Sequence, residues 1–231
     1  MNEEIISKVE LYITENLNID ISYLKDFSIE FSNIPEIRVY YIYALYKLNQ
    51  FELGIQELNK INDLIYLQKN HFYIMVKNLL EKRDNTEIDE LIKILEDCLK
   101  LDVNKKNKWL RLELFKLYEK KELDYMAWKY LEEAISIDEN FWEAILTRAL
   151  GLNLIENCND IINQILQLPQ TYVDADVLNF LGNAYLNCNN INNAVKIFNG
   201  SLEISKTEEA YYFLGYINHY NFKDYDKALL Y

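Results

Sequence analysis

Three asparagines recur at every fourth residue near the C-terminal third of the chain. Asn179, Asn183 and Asn187 would share one face of an α-helix, with Asp176 just before them. An asparagine amide both donates and accepts hydrogen bonds, as the backbone of an extended peptide does. The pattern therefore indicates peptide recognition. Because asparagine is abundant throughout the chain, a solvated helix face without a ligand is the alternative interpretation.

A second polar and aromatic stripe follows about one helix pair later. Tyr212, Tyr216 and His219 keep helical spacing, with Glu209 before them and Tyr220 after them. A tyrosine ring offers flat apolar area with a polar tip, which suits contact with a partner's side chains. The two stripes together form the predicted partner-binding set: Asn179, Asn183, Asn187, Tyr212, Tyr216 and His219.

The residues that could perform catalysis or bind a metal form no recognisable constellation. His71 and His219 are the only histidines, and neither stands in a metal-ligand spacing such as HExxH. The chain has no G-x-S-x-G, G-x-G-x-x-G or P-loop motif. Carboxylates are plentiful, but they lie on helix faces expected to be solvated, and no pair is marked out for acid–base chemistry. The sequence predicts a protein that is not an enzyme and has no metal site or cofactor.

Composition predicts helices joined by short turns. Half of the 231 residues are hydrophobic, whereas only five glycines and two prolines are present. Sheets usually place glycine and proline in their turns, so this scarcity favours an all-α chain. The net charge of −13 and the lack of a basic stripe argue against a nucleic-acid partner. The charge favours a partner of basic character, or it only keeps the protein soluble.

Cysteine usage and the N-terminus bear on the cellular compartment. The chain has three cysteines, an odd number without CxxC spacing: Cys98, Cys158 and Cys188. They are therefore predicted to be reduced thiols in a reducing compartment. The acidic start, MNEEIISKVELY, does not resemble a signal peptide. No apolar run approaches the roughly 18 residues that suggest a membrane span. The sequence predicts a cytoplasmic protein without membrane contact.

Paired amphipathic helices must position the two stripes. Helices are predicted over 2–16 and about 22–32, and residues 1–34 are interpreted as a helical capping region before the break at Pro35. From there the apolar periodicity predicts helix pairs at 35–48 with 51–62, 68–82 with 87–100, 107–120 with 123–137, 140–155 with 159–168, two helices within 175–204, and a sixth pair from 208.

Small residues recur with a period near 34. Gly182 recurs as Gly215, and Ala194 recurs as Ala228. Small residues let two helix backbones approach closely, while large ones such as Phe198 fill the grooves between them. One pair cannot bury its apolar face alone, so each must stack on the next. The period therefore predicts a helical solenoid.

The fifth pair resembles a tetratricopeptide repeat (TPR). The resemblance rests on Leu181-Gly182, Tyr185, Ala194, Phe198 and Ser201. The sixth pair is similar, with one extra residue in its turn, and the third pair is similar in its second helix, AWKYLEEAISID. Departures are Lys206, where the family often has proline, and Gly54 and Leu91, which replace the usual alanine.

This resemblance implies an all-α, right-handed α–α superhelix of about five to six stacked helix pairs over residues 35–231, truncated in the last repeat. The implied function is a non-catalytic scaffold that binds a peptide or partner protein on a concave face lined by the first helix of each pair. Tyr41 is expected to pack between helices, and Tyr43 and Tyr46 to face that inner surface. Leu229, Leu230 and Tyr231 are expected to seek cover, for example in a homodimer through the C-terminal helix.

Two alternative functions remain at this point. One is the peptide-sensing portion of a bacterial regulator, although residues 1–34 are too short and acidic to form a DNA-binding module. The other is the repeat region of a larger protein with an effector or enzyme domain beyond residue 231.

Overall fold

The computed structural model describes residues 2–15, 19–61, 70–81, 88–101 and 107–231, and throughout these ranges the regular structure is helical, without a strand. The helices, in chain order, are α1 (Asn2–Glu15), α2 (Ile21–Glu30), α3 (Pro35–Lys47), α4 (Phe51–Asn59), α5 (His71–Glu81), α6 (Ile88–Leu101), α7 (Lys108–Lys120), α8 (Asp124–Ile137), α9 (Trp142–Gly151), α10 (Leu154–Leu166), α11 (Ala175–Asn187), α12 (Ile191–Ile204), α13 (Glu208–Ile217) and α14 (Tyr225–Ala228). A 3₁₀ turn spans Gln170–Tyr172, and a π-helical turn spans Asn218–Phe222.

Most predicted helices occur, and the fourth pair shows why one boundary was wrong. The prediction began its second helix at residue 159, close to the segment that follows a kink at Asn157 (φ −120°, ψ 19°), whereas α10 as a whole begins at Leu154. The Asn153 side chain caps this helix by accepting from the backbone N–H of Ile155 at 2.9 Å, which is an N-terminal signal that apolar periodicity does not contain. The predicted helix ends at 16, 62, 68, 82 and 87 lie outside the described residues.

Four of the helix pairs share one turn geometry, which fixes the register of the repeat in them. In these four pairs, the residue two positions before the start of the second helix has a positive φ: Asn49, Glu122, Asn189 and Lys223. The amide that follows donates to a carbonyl five residues back, for example Asn190 to Tyr185 at 2.8 Å. These features are typical of a Schellman ending.

The sixth pair has the same turn, but its extra residue lies before the turn. The bond there runs from the Asp224 amide to the Asn218 carbonyl, six residues back, at 2.9 Å. The extra residue therefore lies in the π-helical turn Asn218–Phe222, not in the connecting turn where the sequence had placed it.

The chain divides into two compact units, residues 1–144 and 145–231. In the first unit α1 and α2 pack on α3, and the pairs α3–α4, α5–α6 and α7–α8 stack in order. In the second unit α10 packs on α11, α11 on α12, and α12 on α13. Within each unit, successive pairs thus cover one another's apolar faces, as the repeat pattern predicted.

Gly182 and Phe198 make the close approach within the fifth pair. A β-carbon added at Gly182 would lie 2.7 Å from two carbons of the fully buried Phe198 ring. Gly200, on the same pair of helices, is different, because a β-carbon there would meet only Leu178 Cδ1 at 4.0 Å. The first glycine is required by packing, whereas the second is only tolerated in its helix.

These two glycines give a matched stability test. Gly182→Ala must displace the Phe198 ring, whereas Gly200→Ala gains helix propensity of roughly 0.5–1 kcal/mol without a clash. We expect Gly182→Ala to be the less stable variant by about 1–3 kcal/mol, measured by urea unfolding followed by circular dichroism. Equal stability of the two variants would show that the Gly182–Phe198 contact does not set the helix separation.

The structure corrects the prediction that all three cysteines are reduced thiols. The sulfurs of Cys158, on α10, and Cys188, at the end of α11, are bonded, with their Cα atoms 5.8 Å apart. Cys98 is a free, buried thiol, and burial raises its pKa. Thirty residues separate the bonded cysteines in sequence. Their pairing follows from the packing of α10 on α11, and no local sequence motif predicts that packing.

Candidate functional site

In the first unit, the first helix of each pair packs near the first helix of the next, and side chains between these helices are buried. Tyr41 is buried between helices as predicted, but Tyr43 is fully buried and does not line an open inner surface. Its hydroxyl donates to Glu113 Oε1 at 3.0 Å, and the Tyr46 hydroxyl lies 3.4 Å from Glu113 Oε2. The prediction for Tyr43 was wrong because α7, 70 residues later, supplies a buried acceptor that covers it.

A network of ion pairs lies beside the buried Tyr43 on the same face of the first unit. Glu143 pairs with Lys47 at 2.5 Å and with Lys116 at 3.3 Å, and Lys116 also pairs with Glu113 at 3.0 Å. Burial by itself would raise the pKa of Glu143, but the positive charges of Lys116 and Lys47 and their hydrogen bonds lower it to about 2. Burial and the nearby Glu113 charge raise the pKa of Tyr43. The charges on this face therefore satisfy one another.

The second unit presents its first helices differently. Asn179 is buried, and its Nδ2 donates to Thr207 Oγ1, the N-cap of α13, at 3.0 Å. Asn183 is half-buried, with its Nδ2 3.4 Å from Glu209 Oε1. Asn187 is exposed and donates to the Asn183 carbonyl at 2.9 Å. Asn179 thus joins α11 to α13, while Asn183 and Asn187 remain reachable from solvent.

The aromatic stripe continues from these asparagines along α13. Tyr212 is 65% exposed and Tyr216 is 45% exposed. Their ring centroids lie 6.5 Å apart, and Tyr216 lies 4.7 Å from Tyr220. His219 is exposed and makes an edge contact with Tyr225 at 5.1 Å. The structure therefore brings the three predicted aromatic residues together on one surface. We call Asn183, Asn187, Glu209, Tyr212, Tyr216 and His219 the first-helix face.

The π-helical turn explains how the end of this face is positioned. Asn218 is buried there, and its Nδ2 donates to the Leu214 carbonyl at 2.8 Å. Asp224 then caps α14 by accepting from the Lys227 amide at 3.1 Å. Because the turn contains one extra residue, His219 and Tyr220 lie between α13 and α14.

The aromatic residues surround a cavity of about 630 Å³ at this end of the second unit. Tyr220 ended the stripe predicted from the sequence, but three further tyrosines that line the cavity were not assigned to a binding site: Tyr211, Tyr225 and Tyr231. The signal available was the density of tyrosine after residue 210, together with the extra residue in the sixth repeat. We call this space the tyrosine cavity.

Neither a metal centre nor a membrane span is found in the part of the chain that the structure describes. No group of three or more potential metal-ligating side chains comes together among those residues. None of the helices described is both long and apolar enough to cross a bilayer.

Comparison with solved structures decides the fold. MamA superimposes with a TM-score of 0.55 and 22% identity, over 65% of this chain and 88% of its own. The C-terminal part of a TPR repeat-containing protein from Cytophaga hutchinsonii gives a TM-score of 0.56 and 19% identity, over 80% of this chain and 72% of its own. This chain has the TPR-type helical-repeat fold. The resemblance seen in the fifth pair is thereby confirmed at the level of the fold.

A third TPR structure is more distant. YrrB, described as a TPR protein with an unusual peptide-binding site, superimposes with a TM-score of 0.48 and 16% identity, over 83% of this chain and 96% of its own. By sequence, no protein family and no curated protein matches the chain.

Proposed function

We propose that this protein is a non-catalytic scaffold that binds an extended peptide, or an extended segment of a partner protein, on the first-helix face of its second unit. One observation carries the proposal. Amide and tyrosine side chains that solvent can reach are aligned along α11 and α13 there. On the corresponding face of the first unit Tyr43 is buried, and the space that remains, about 400 Å³, is lined by charges that already pair with one another, such as Lys47 and Glu143.

The chemistry of this face suits an extended backbone. Asn183 and Asn187 are about one helical turn apart and can donate to and accept from successive peptide groups. Tyr212 and Tyr216 offer apolar area beside them, and such rings lose little conformational entropy on binding. Contacts of this number and kind support affinity in the micromolar range, about −8 kcal/mol.

Two substitutions test the face without disturbing the core. Asn183→Ala removes a peptide hydrogen bond and should weaken binding about five-fold, and Tyr216→Ala should weaken it about ten-fold. The assay is fluorescence polarisation with the best peptide selected from an array. Asn192→Ala, on the exposed side of α12, and Tyr125→Ala, in the first unit, remove the same side chains elsewhere and should bind as the parent does.

Circular dichroism melting checks that all four variants remain folded. Unchanged binding by both Asn183→Ala and Tyr216→Ala, in folded proteins, would remove the first-helix face from the proposal.

The size of the tyrosine cavity also favours a second candidate function, the peptide-sensing portion of a bacterial regulator. Its volume of about 630 Å³ suits the side chains of a short peptide, although the space is open to solvent on one side. A sensor should gain stability steeply on adding short peptides, by RT ln(1 + [L]/Kd).

A repeat region joined to an effector or enzyme domain beyond residue 231 remains a prediction that the longer sequence would test.

Two further predictions concern assembly and location. The homodimer expected through the C-terminal helix remains a prediction: Leu229 and Leu230 are highly exposed, and a second copy placed there would cover the tyrosine cavity instead of a peptide. A cytoplasmic location also remains a prediction. The Cys158–Cys188 disulfide weighs against it, because reducing pools keep most cytosolic thiols reduced. Trapping thiols in intact host cells would show which state the two cysteines occupy.

A further inference from the structure

The tyrosine cavity has an unusual wall. Of the described residues that line it, none is a lysine, an arginine or a carboxylate. Six of them are tyrosines: Tyr211, Tyr212, Tyr216, Tyr220, Tyr225 and Tyr231. The others are His219, Leu229 and two small residues, Gly215 and Ala228.

Three of these rings form a continuous exposed run. Tyr212, Tyr216 and Tyr220 follow one another at centroid distances of 6.5 and 4.7 Å, and Tyr220 is 64% exposed. The face of an aromatic ring carries negative electrostatic potential, so a run of exposed faces attracts a cation. Within the described chain, Lys47, Lys108 and Lys129 lie over rings of the first unit instead.

The charges around the cavity reinforce this attraction. Glu209 precedes Tyr212 by about one turn of α13, and Asp224 and Asp226 flank Tyr225. Lys223 and Lys227 also lie on this segment, but the carboxylates there, counted with Glu208, outnumber them. The whole chain carries a net charge of −13. A positively charged side chain therefore meets both favourable ring faces and a favourable long-range field.

We propose that the tyrosine cavity binds an arginine side chain of the partner peptide, with its guanidinium plane stacked on the face of Tyr220 and its edge against the neighbouring Tyr216 ring. This inference rests on the proposed function and names the chemistry of its partner. Arginine suits the cavity better than lysine because the guanidinium group is planar and weakly hydrated, and it stacks on aromatic faces. An apolar side chain would fill the space but would not use the surrounding carboxylates.

The test compares matched peptides. An array of extended peptides of about eight residues with one central arginine is screened beside the same array with citrulline, which keeps the planar shape and loses the charge. Binding is then measured by fluorescence polarisation. We expect citrulline peptides to bind about two- to five-fold more weakly. Tyr220→Leu should remove most of this difference, leaving only the part due to the surrounding carboxylates, and Tyr220→Phe should keep most of it, because only the latter retains the ring.

The possible outcomes separate this inference from the proposed function. Equal binding of arginine and citrulline peptides that still depends on Asn183 would overturn the arginine assignment and leave the peptide scaffold standing. Binding of neither set would defeat both proposals. A preference for arginine that survives Tyr220→Leu in full but is lost in Glu209→Gln would assign it to the carboxylate and overturn the stacking. A stable dimer in sedimentation, lost on Leu229→Ser, would place a second copy over the cavity and overturn it as well.

Discussion

Reduction of the Cys158–Cys188 disulfide should lower the free energy of unfolding of the second unit by about 3–4 kcal/mol. The bond closes a loop of 30 residues that contains most of α10, the 3₁₀ turn and all of α11. A cross-link of this length restricts the unfolded chain, and the expected stabilisation follows from loop-closure entropy. Of the effects expected here on the second unit, this is the largest, and it bears on the helix that carries Asn183.

The measurement is urea unfolding with and without reductant, followed by far-ultraviolet circular dichroism. All three tryptophans, Trp109, Trp128 and Trp142, lie in the first unit, so their fluorescence reports that unit separately. The Cys158→Ala/Cys188→Ala double variant is the control, because it keeps Cys98 and should not respond to reductant. A parent protein whose unfolding is the same under both conditions would contradict the Cys158–Cys188 cross-link.

The helix pairs could be read from the sequence because their signals are local. Apolar spacing predicts each amphipathic helix, and the Gly182 and Ala194 pattern indicates where two helices come close. The same reasoning also located Asn183, Asn187, Tyr212 and Tyr216, because a shared helix face depends only on spacing of three and four residues.

Apart from the start of α10, which the local N-cap Asn153 sets, the features that the sequence did not predict depend on contacts between distant residues. Tyr43 meets Glu113 across 70 residues, and Lys47 meets Glu143 across 96, so the closed face of the first unit depends on how several pairs stack. The disulfide depends in the same way on α10 packing against α11. The tyrosine cavity required the π-helical turn, because one extra residue changes which side chains meet beyond Tyr216.

The closed face of the first unit gives the second large effect, which is a dependence of stability on acidity. Glu143 has a side chain that is only 15% exposed and is held between Lys47 and Lys116. Its pKa in the folded protein is lowered from 4.5 to about 2. Because the folded state binds this proton less readily than the unfolded state, the carboxylate stabilises the fold fully above about pH 4.5. That contribution, roughly 3 kcal/mol, is lost progressively as the pH falls towards 2.

Glu143→Gln removes this charge and isolates its effect. At pH 7 the variant should be less stable than the parent by about 3 kcal/mol, because Lys47 loses its carboxylate partner while its side chain stays only 12% exposed. The difference between parent and variant should shrink steadily below pH 4.5 and vanish near pH 2, measured by tryptophan fluorescence during urea unfolding. Glu52→Gln, at an exposed position of α4, corrects for the general loss of negative charge. A gap between parent and Glu143→Gln that stays constant from pH 7 to pH 2 would mean that the ionic network does not hold Glu143 charged, and that the first unit owes its closed face to packing alone.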